Sequence, residues 1–222
     1  MDRVLHYSMS GRLIMGIGAL AELPEALRAL GTSKALIVTD QGLVKAGICR
    51  RVQKVLEDAG VDHAVFDGVE PDPRIEIVYD CRDAAKENSC DTMIGLGGGS
   101  SLDIAKVTSV LLTNGGEVAD FVGIGMIAKP GIPKVLIPTT AGTGSEVTPI
   151  AVLSDHAAQL KKGVVSPHLY ADVALIDPEL VASLPPHITA FTGIDALTHA
   201  IEAYTNKYAQ PFIDTFAMAA IR

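Results

Sequence analysis

Short apolar runs alternate along this chain with stretches whose apolar residues recur at every third or fourth position. Ala35-Leu36-Ile37-Val38-Thr39 is apolar throughout, as a strand covered on both faces should be. Val44, Ile48, Val52, Val55 and Leu56 then keep helical spacing until Gly60, and His63-Ala64-Val65-Phe66 reads as the next strand. The rhythm repeats with a helix over 75–86, the strand Thr92-Met93-Ile94-Gly95-Leu96, and a helix in which Ile104, Val107, Val110 and Leu111 share a face. Lys134-Val135-Leu136-Ile137-Pro138 and Val173-Ala174-Leu175-Ile176 are two further strands. Strands alternating with helices predict an α/β fold with a parallel sheet, right-handed crossovers and ligands at the carboxyl ends of the strands.

Two departures from the rhythm mark the rest of the chain. Residues 147–153 and 163–165 flank a polar Ser154-Asp155-His156 turn, which predicts a hairpin on one edge of the sheet. From Pro185-Pro186 onward only helical periods remain, which divides the chain into a nucleotide-binding α/β domain over 1–184 and the start of an all-helical second domain over 185–222. The helical pattern is still running at Arg222 with no Gly, Asn or Pro stop signal, so the sequence reads as a fragment. At the other end, Arg12-Leu13-Ile14-Met15 reads as an edge strand that invites pairing with a second chain, hence a homodimer or larger homo-oligomer.

Charge narrows the partners. A formal net charge of −8 without any Lys/Arg run argues against nucleic acid and anionic membranes, and favours a small molecule. Cys49, Cys81 and Cys90 are odd in number and form no CxxC, so they read as buried free thiols in a reducing cytosol. The start Met1-Asp2-Arg3-Val4-Leu5-His6 lacks an apolar signal core, and no apolar run is long enough to span a bilayer; a cytoplasmic protein is expected.

Gly95-Leu96-Gly97-Gly98-Gly99-Ser100 ends a strand and opens a helix. Glycines there let backbone N–H groups approach a pyrophosphate at the positive end of the helix, although tight packing alone could use the same residues. An acidic residue about twenty positions downstream of such a turn would be Asp120, but the turn does not lie in the first βα unit and Asp120 is not assigned a role. After the next strand, Thr139-Thr140-Ala141-Gly142-Thr143-Gly144-Ser145-Glu146-Val147-Thr148 gathers five hydroxyls around two glycines, a composition suited to phosphate or ribose and also ordinary for a turn. In Gly193-Ile194-Asp195-Ala196-Leu197-Thr198-His199-Ala200-Ile201-Glu202, Asp195 and His199 stand four apart on one helix face. They read as half of a divalent-metal site, or else as a helix carboxylate and a partly buried histidine.

These motifs in this order, with Gly97-Gly98-Gly99-Ser100-Ser101-Leu102-Asp103-Ile104-Ala105-Lys106 as the first, resemble the iron-containing alcohol dehydrogenase family over essentially the whole chain. The resemblance implies that Gly97, Gly98, Gly99 and Ser100 hold the cofactor's pyrophosphate, that Thr139, Thr140 and Thr148 line its adenine and ribose side, and that Lys161 joins them. It also implies a metal held by one Asp and three His, of which Asp195 and His199 are present and the other two are expected beyond Arg222. His187 is too early and is read as a surface or capping residue.

Asp40 matches the family position beside the adenosine ribose, where a carboxylate favours NAD over NADP by repelling a 2′-phosphate; the same residue could cap the helix that follows. Pro71-Asp72-Pro73 departs from the Pro-Asn-Pro often found in the family, and Asp72 is given no role. The implied reaction is hydride transfer between nicotinamide and a small primary alcohol, diol or aldehyde, with Fe(II), or alternatively Zn(II), as Lewis acid. A glycerol dehydrogenase-like enzyme and a catalytically incomplete NAD-binding fragment are the alternatives.

Overall fold

The computed structural model describes residues 4–156 and 158–222; Met1, Asp2 and Arg3, part of the start read above, lie outside the described residues. The chain begins with strand β1 (Arg12–Met15), helix α1 (Leu23–Ala29), β2 (Lys34–Asp40), α2 (Gln41–Lys45), α3 (Ile48–Asp58), β3 (Asp62–Val69) and α4 (Ile75–Glu87). It continues with β4 (Thr92–Gly97), α5 (Gly99–Asn114), β5 (Gly123–Ile124), β6 (Lys134–Pro138), β7 (Ile150–Asp155), β8 (Leu160–Val165) and β9 (Val173–Ile176). Helices α6 (Pro178–Val181), α7 (Pro186–Thr205) and α8 (Pro211–Ile221) follow.

Six strands form one parallel sheet in the order β1-β9-β6-β4-β2-β3. The alternation of side chains decides what each face touches. Leu36 and Val38 of β2 point into a core with α4 and α5, whereas Ala35 and Ile37 point into a second core with α1 and α3. Both faces are therefore covered, which is why the central strands read as unbroken apolar runs.

Two expectations need correction. The helix predicted through Val44 and Leu56 is broken at Gly47, whose φ of +78° ends α2 and starts α3. Helical spacing continues across the break, so periodicity alone does not reveal it. The hairpin β7–β8 is antiparallel as expected, from Ile150↔Val165 to Asp155↔Leu160, but it does not extend the main sheet. It forms a separate three-stranded sheet in the order β5-β8-β7, laid over α5.

The cause lies in α5, where every residue from Ser101 to Leu111 is buried. A helix buried on all sides has a cover on the face turned away from the sheet as well. Ala151, Leu153 and Val164 of the small sheet supply it, packed in the same core as Leu102, Ile104 and Val107. The strand β1 does lie at an edge: it pairs with β9 alone and leaves most of its residues exposed. Among the described residues no helix is long and apolar enough to cross a membrane. Cys49 and Cys81 are buried and Cys90 half-buried, all as free thiols, and burial pushes the Cys81 thiol up to about 12.

The close seat of α5 on the sheet runs through Gly95, where a Cβ would lie 2.8 Å from Leu136 Cδ2 and 3.1 Å from Ala105 Cβ. Gly95→Ala should therefore destabilise the fold by about 1–3 kcal/mol, the usual cost of overpacking a filled core. Urea unfolding measures it; an unchanged midpoint would show that the helix has room to retreat.

Candidate functional site

The sheet reverses its direction of growth between β2 and β4: after β2 the chain adds β3 outward, then returns to place β4 on the other side of β2. At such a switch point the connections leave in opposite directions and open a crevice at the carboxyl ends of the strands. The residues that end there are Asp40 on β2, Gly97 on β4 and Pro138 on β6, with Gly97 and Pro138 in register.

The glycine turn is built for close approach. Gly97 has a φ of +153°, and a Cβ there would meet Ser101 Oγ at 2.5 Å. Gly98 precedes the first turn of α5, which no side chain caps, so its N–H groups remain available at the positive end of the helix dipole. Gly99 is in contact with the next loop, since a Cβ would sit 2.9 Å from Thr143 Cγ2. Thr139 donates its N–H to Gly97 O at 2.9 Å, and Thr140 Cγ2 lies 3.4 Å from a Cβ built on Gly98. The expected pyrophosphate turn and the expected Thr-rich loop thus form one surface. A cradle that side chains would fill, on an uncapped helix start, fits a dinucleotide's pyrophosphate.

Asp40 accepts the Leu43 N–H at 3.0 Å and so caps α2. It also lies beside the glycine turn, because Leu43 Cδ1 is 3.4 Å from the Cβ position of Gly97. The cap and a place at the cofactor crevice are compatible. Lys161, on β8, is paired with Asp72, a residue held at a φ of +52°. Both side chains are largely exposed, so the pair is weak.

Thr148 leads to a group that sequence reasoning left without a role. Its Oγ1 lies 3.5 Å from Lys106 Nζ, and that fully buried ammonium also donates to Ser145 Oγ at 2.6 Å and Ile150 O at 2.9 Å. Asp103, one turn earlier on α5, lies 3.6 Å from Lys106 Nζ, accepts from Ser145 Oγ at 2.6 Å, and accepts the Val152 N–H at 2.8 Å. Burial pulls the Lys106 ammonium down to about 8 against the attraction of Asp103. It pushes the Asp103 carboxyl up against the attraction of Lys106. The signal available in the sequence was two opposite charges three apart on a helix otherwise apolar or small.

On α7, Asp195 Oδ1 and His199 Nε2 are 3.8 Å apart, both side chains partly exposed. A carboxylate oxygen and an imidazole nitrogen at this separation suit two positions around Fe(II) or Zn(II). Among the described residues no third His, Cys, Asp or Glu joins them. The Thr-rich loop reaches this helix too: a Cβ on Gly142 would lie 2.9 Å from Thr192 Cβ, one turn before Asp195. His187 is exposed and stacks edge-on against Phe191, as a surface residue. Asp120 forms a capping box with Glu117 and takes no part in the crevice.

Fold and site together define an α/β domain with a glycine-rich crevice at the carboxyl ends of its parallel strands, followed by a helix that carries Asp195 and His199 on one face. Residues 10–178 match the profile of the iron-containing alcohol dehydrogenases and residues 189–222 match that of the C-terminal region of the Fe-containing alcohol dehydrogenase family. The chain belongs to the iron-containing alcohol dehydrogenase family. It is 40% identical over 218 residues to the sulfoacetaldehyde reductase of Bilophila wadsworthia, covering 98% of this chain and 56% of that protein. It is 43% identical over 209 residues to the NAD-dependent methanol dehydrogenase of Bacillus methanolicus, covering 94% of this chain and 55% of that protein. The crystal structure of a 1,3-propanediol oxidoreductase superposes with a TM-score of 0.94 at 38% identity, over 97% of this chain and 56% of that one. That of the sulfoacetaldehyde reductase from Bifidobacterium kashiwanohense in complex with NAD+ gives 0.90 at 33%, over 99% and 58%. The chain spans about half the length of the curated relatives it matches.

The three glycines of the turn should not behave alike. Gly97→Ala forces a side chain into a left-handed backbone and against Ser101, and should cost about 1–3 kcal/mol of stability. Gly98→Ala meets only an ordinary contact and should change stability by less than about 1 kcal/mol. Parallel thermal and urea melts decide; equal losses at both positions would contradict the backbone geometry described for the turn.

Proposed function

We propose that the protein carrying this chain is an NAD-dependent, metal-dependent alcohol dehydrogenase or aldehyde reductase acting on a small primary alcohol, diol or aldehyde. The observation that carries the reading is continuity: the loop over 139–148 touches the glycine turn through Thr143, against Gly99, and α7 through Gly142, against Thr192. One loop therefore spans the space between cofactor cradle and metal pair. The names of the relatives, which include a methanol and a 1,3-propanediol dehydrogenase, support the substrate class.

In this reading Gly97, Gly98, Gly99 and Ser100 present backbone N–H groups to the pyrophosphate. Asp40 accepts from the ribose hydroxyls and repels a 2′-phosphate. Thr139, Thr140 and Thr148 line the adenine and ribose side, and Lys161 exchanges its pairing with Asp72 for the cofactor. Asp195 and His199 hold the metal, Fe(II) or in its place Zn(II), together with donors not present among the described residues. When bound, the nicotinamide supplies hydride exchange and the divalent ion supplies Lewis acidity. The nucleotide domain extends to about residue 184 and the helical domain begins there, close to the break between the two matched profiles. The edge strand β1 supports a homo-oligomer, and the free thiols support a cytoplasmic location.

Metal analysis and an absorbance assay for NADH with short primary alcohols and diols test the reading. His199→Ala and Asp195→Ala should each remove metal and activity while NAD affinity stays within about threefold, since neither side chain touches the glycine turn. Full turnover in His199→Ala would sink the assignment of the pair.

Cofactor choice is tested at Asp40. Asp40→Asn keeps the helix cap but removes the charge, so NADP affinity relative to NAD should rise about ten- to a hundredfold, or about 1.4–2.7 kcal/mol. Calorimetric titration of both cofactors reads the ratio, and a ratio that does not move leaves Asp40 a cap only.

A further inference from the structure

The Asp103–Lys106 pair is charged, buried and placed beneath the one loop that joins the two halves of the site. A buried ion pair is a poor way to stabilise a fold, because its desolvation offsets most of the attraction and apolar residues of similar volume often do better. What such a pair does supply is a fixed geometry for the groups it bonds. Here those groups are Ser145 Oγ, shared by both charges, Thr148 Oγ1, and two backbone atoms of β7, Ile150 O and Val152 N. All lie at the downstream end of the 139–148 loop and in the strand that follows. The upstream end is fixed separately by the hydrogen bond from Thr139 N to Gly97 O.

Between these anchors the loop contains Gly142 and Gly144, the latter at a φ of +62°. A glycine-containing loop held at one end only would sample many positions against the glycine turn. We propose that Asp103 and Lys106 are a positioning pair that holds the 139–148 loop against the glycine turn and α7, and thereby sets the width of the cofactor crevice. The inference rests on the reading of that crevice as an NAD site, and it gives a buried pair outside the direct contacts a role in cofactor affinity.

The charged groups that act on Lys106 are Asp103 on its own helix, Glu146 on the short turn after Gly144, and Lys134 on β6. Only the first two attract it. As pH rises past about 8 the folded protein releases the Lys106 proton, which removes the attraction to Asp103 and one hydrogen-bond donor. The loop then loses part of its anchorage while the glycine turn is unchanged.

The test is NAD affinity by calorimetry between about pH 6.5 and pH 9.5, with urea unfolding in parallel, on the protein that carries this chain. For the wild type, the dissociation constant should rise about tenfold from pH 7 to pH 9.5. Lys106→Met should bind about tenfold more weakly at pH 7 and show no further loss at high pH, and Asp103→Asn should weaken binding similarly. The double variant should be no weaker than either single one, because both changes release the same anchor. Lys106→Arg, charged throughout the range, should recover binding and abolish the alkaline loss. Should the Met variant fail to fold, Ser145→Ala removes only the shared hydroxyl and should still weaken NAD binding by about threefold or more without unfolding. Folded Lys106→Met or Ser145→Ala proteins with wild-type affinity and a wild-type pH profile would overturn the proposal and leave the pair a packing feature. A wild-type protein that does not bind NAD would instead overturn the cofactor reading on which the proposal rests.

Discussion

Helix α5 has no face it can leave in water, and much of the architecture answers that requirement. One side is met by β4 and β6, where Gly95 lets the helix settle close to the sheet. The opposite side is met by the small sheet, so the hairpin β7–β8 is drawn over the helix and away from the main sheet's edge. Burial this complete also fixes what any charge on the helix must do. An unpaired ion in such a place costs several kcal/mol, so Asp103 and Lys106 must find each other and every available partner nearby. Their partners are Ser145 and the backbone of β7, and in meeting their own requirement they tie the cover to the helix.

The same helix contributes its N-terminus to the crevice, and the two roles are connected by direction. Because β4 runs parallel to β2 and β6, the start of α5 emerges beside the ends of both. Asp40 arrives from one side and Thr139 from the other without any long-range search for register. Parallel pairing by itself thus assembles residues almost a hundred positions apart around one uncapped helix start. The left-handed Gly97 and the crowding at Gly99 show that this convergence leaves little room for side chains, which is what a pyrophosphate-binding surface needs.

Much of this was legible in the sequence, and the parts that were not share a cause. The runs beginning at Ala35, Thr92, Lys134 and Val173 became strands of the main sheet, because a strand buried on both faces has to be apolar throughout. The break at Gly47 was invisible because Val44 and Ile48 keep the same spacing on either side of it. The docking of the hairpin could not be read from its own residues, since alternation tells which positions are covered but not by what. Asp103 and Lys106 were in plain view inside a recognised motif, yet a sequence does not show that the solvated side of a helix is missing. The pairing of Lys161 with Asp72 joins positions 89 apart, and only the fold brings them together.

The separation of Asp195 and His199 bears on the metal role proposed for them. At 3.8 Å, Asp195 and His199 are too far apart to be joined by a good hydrogen bond, so neither spends its lone pair on the other. The i,i+4 spacing on α7 keeps them on one helix face, where both can address a single cation. The hydride transfer proposed above requires the reacting carbons to be held within a few tenths of an ångström, so in that reading metal and cofactor cannot be positioned independently. The contact between Gly142 and Thr192 supplies the dependence: α7 rests on the loop that also rests on the glycine turn. On the proposed reading, a displacement of that loop would move Asp195 and His199 relative to the glycine turn, so the loop's anchorage would bear on hydride transfer as well as on cofactor binding.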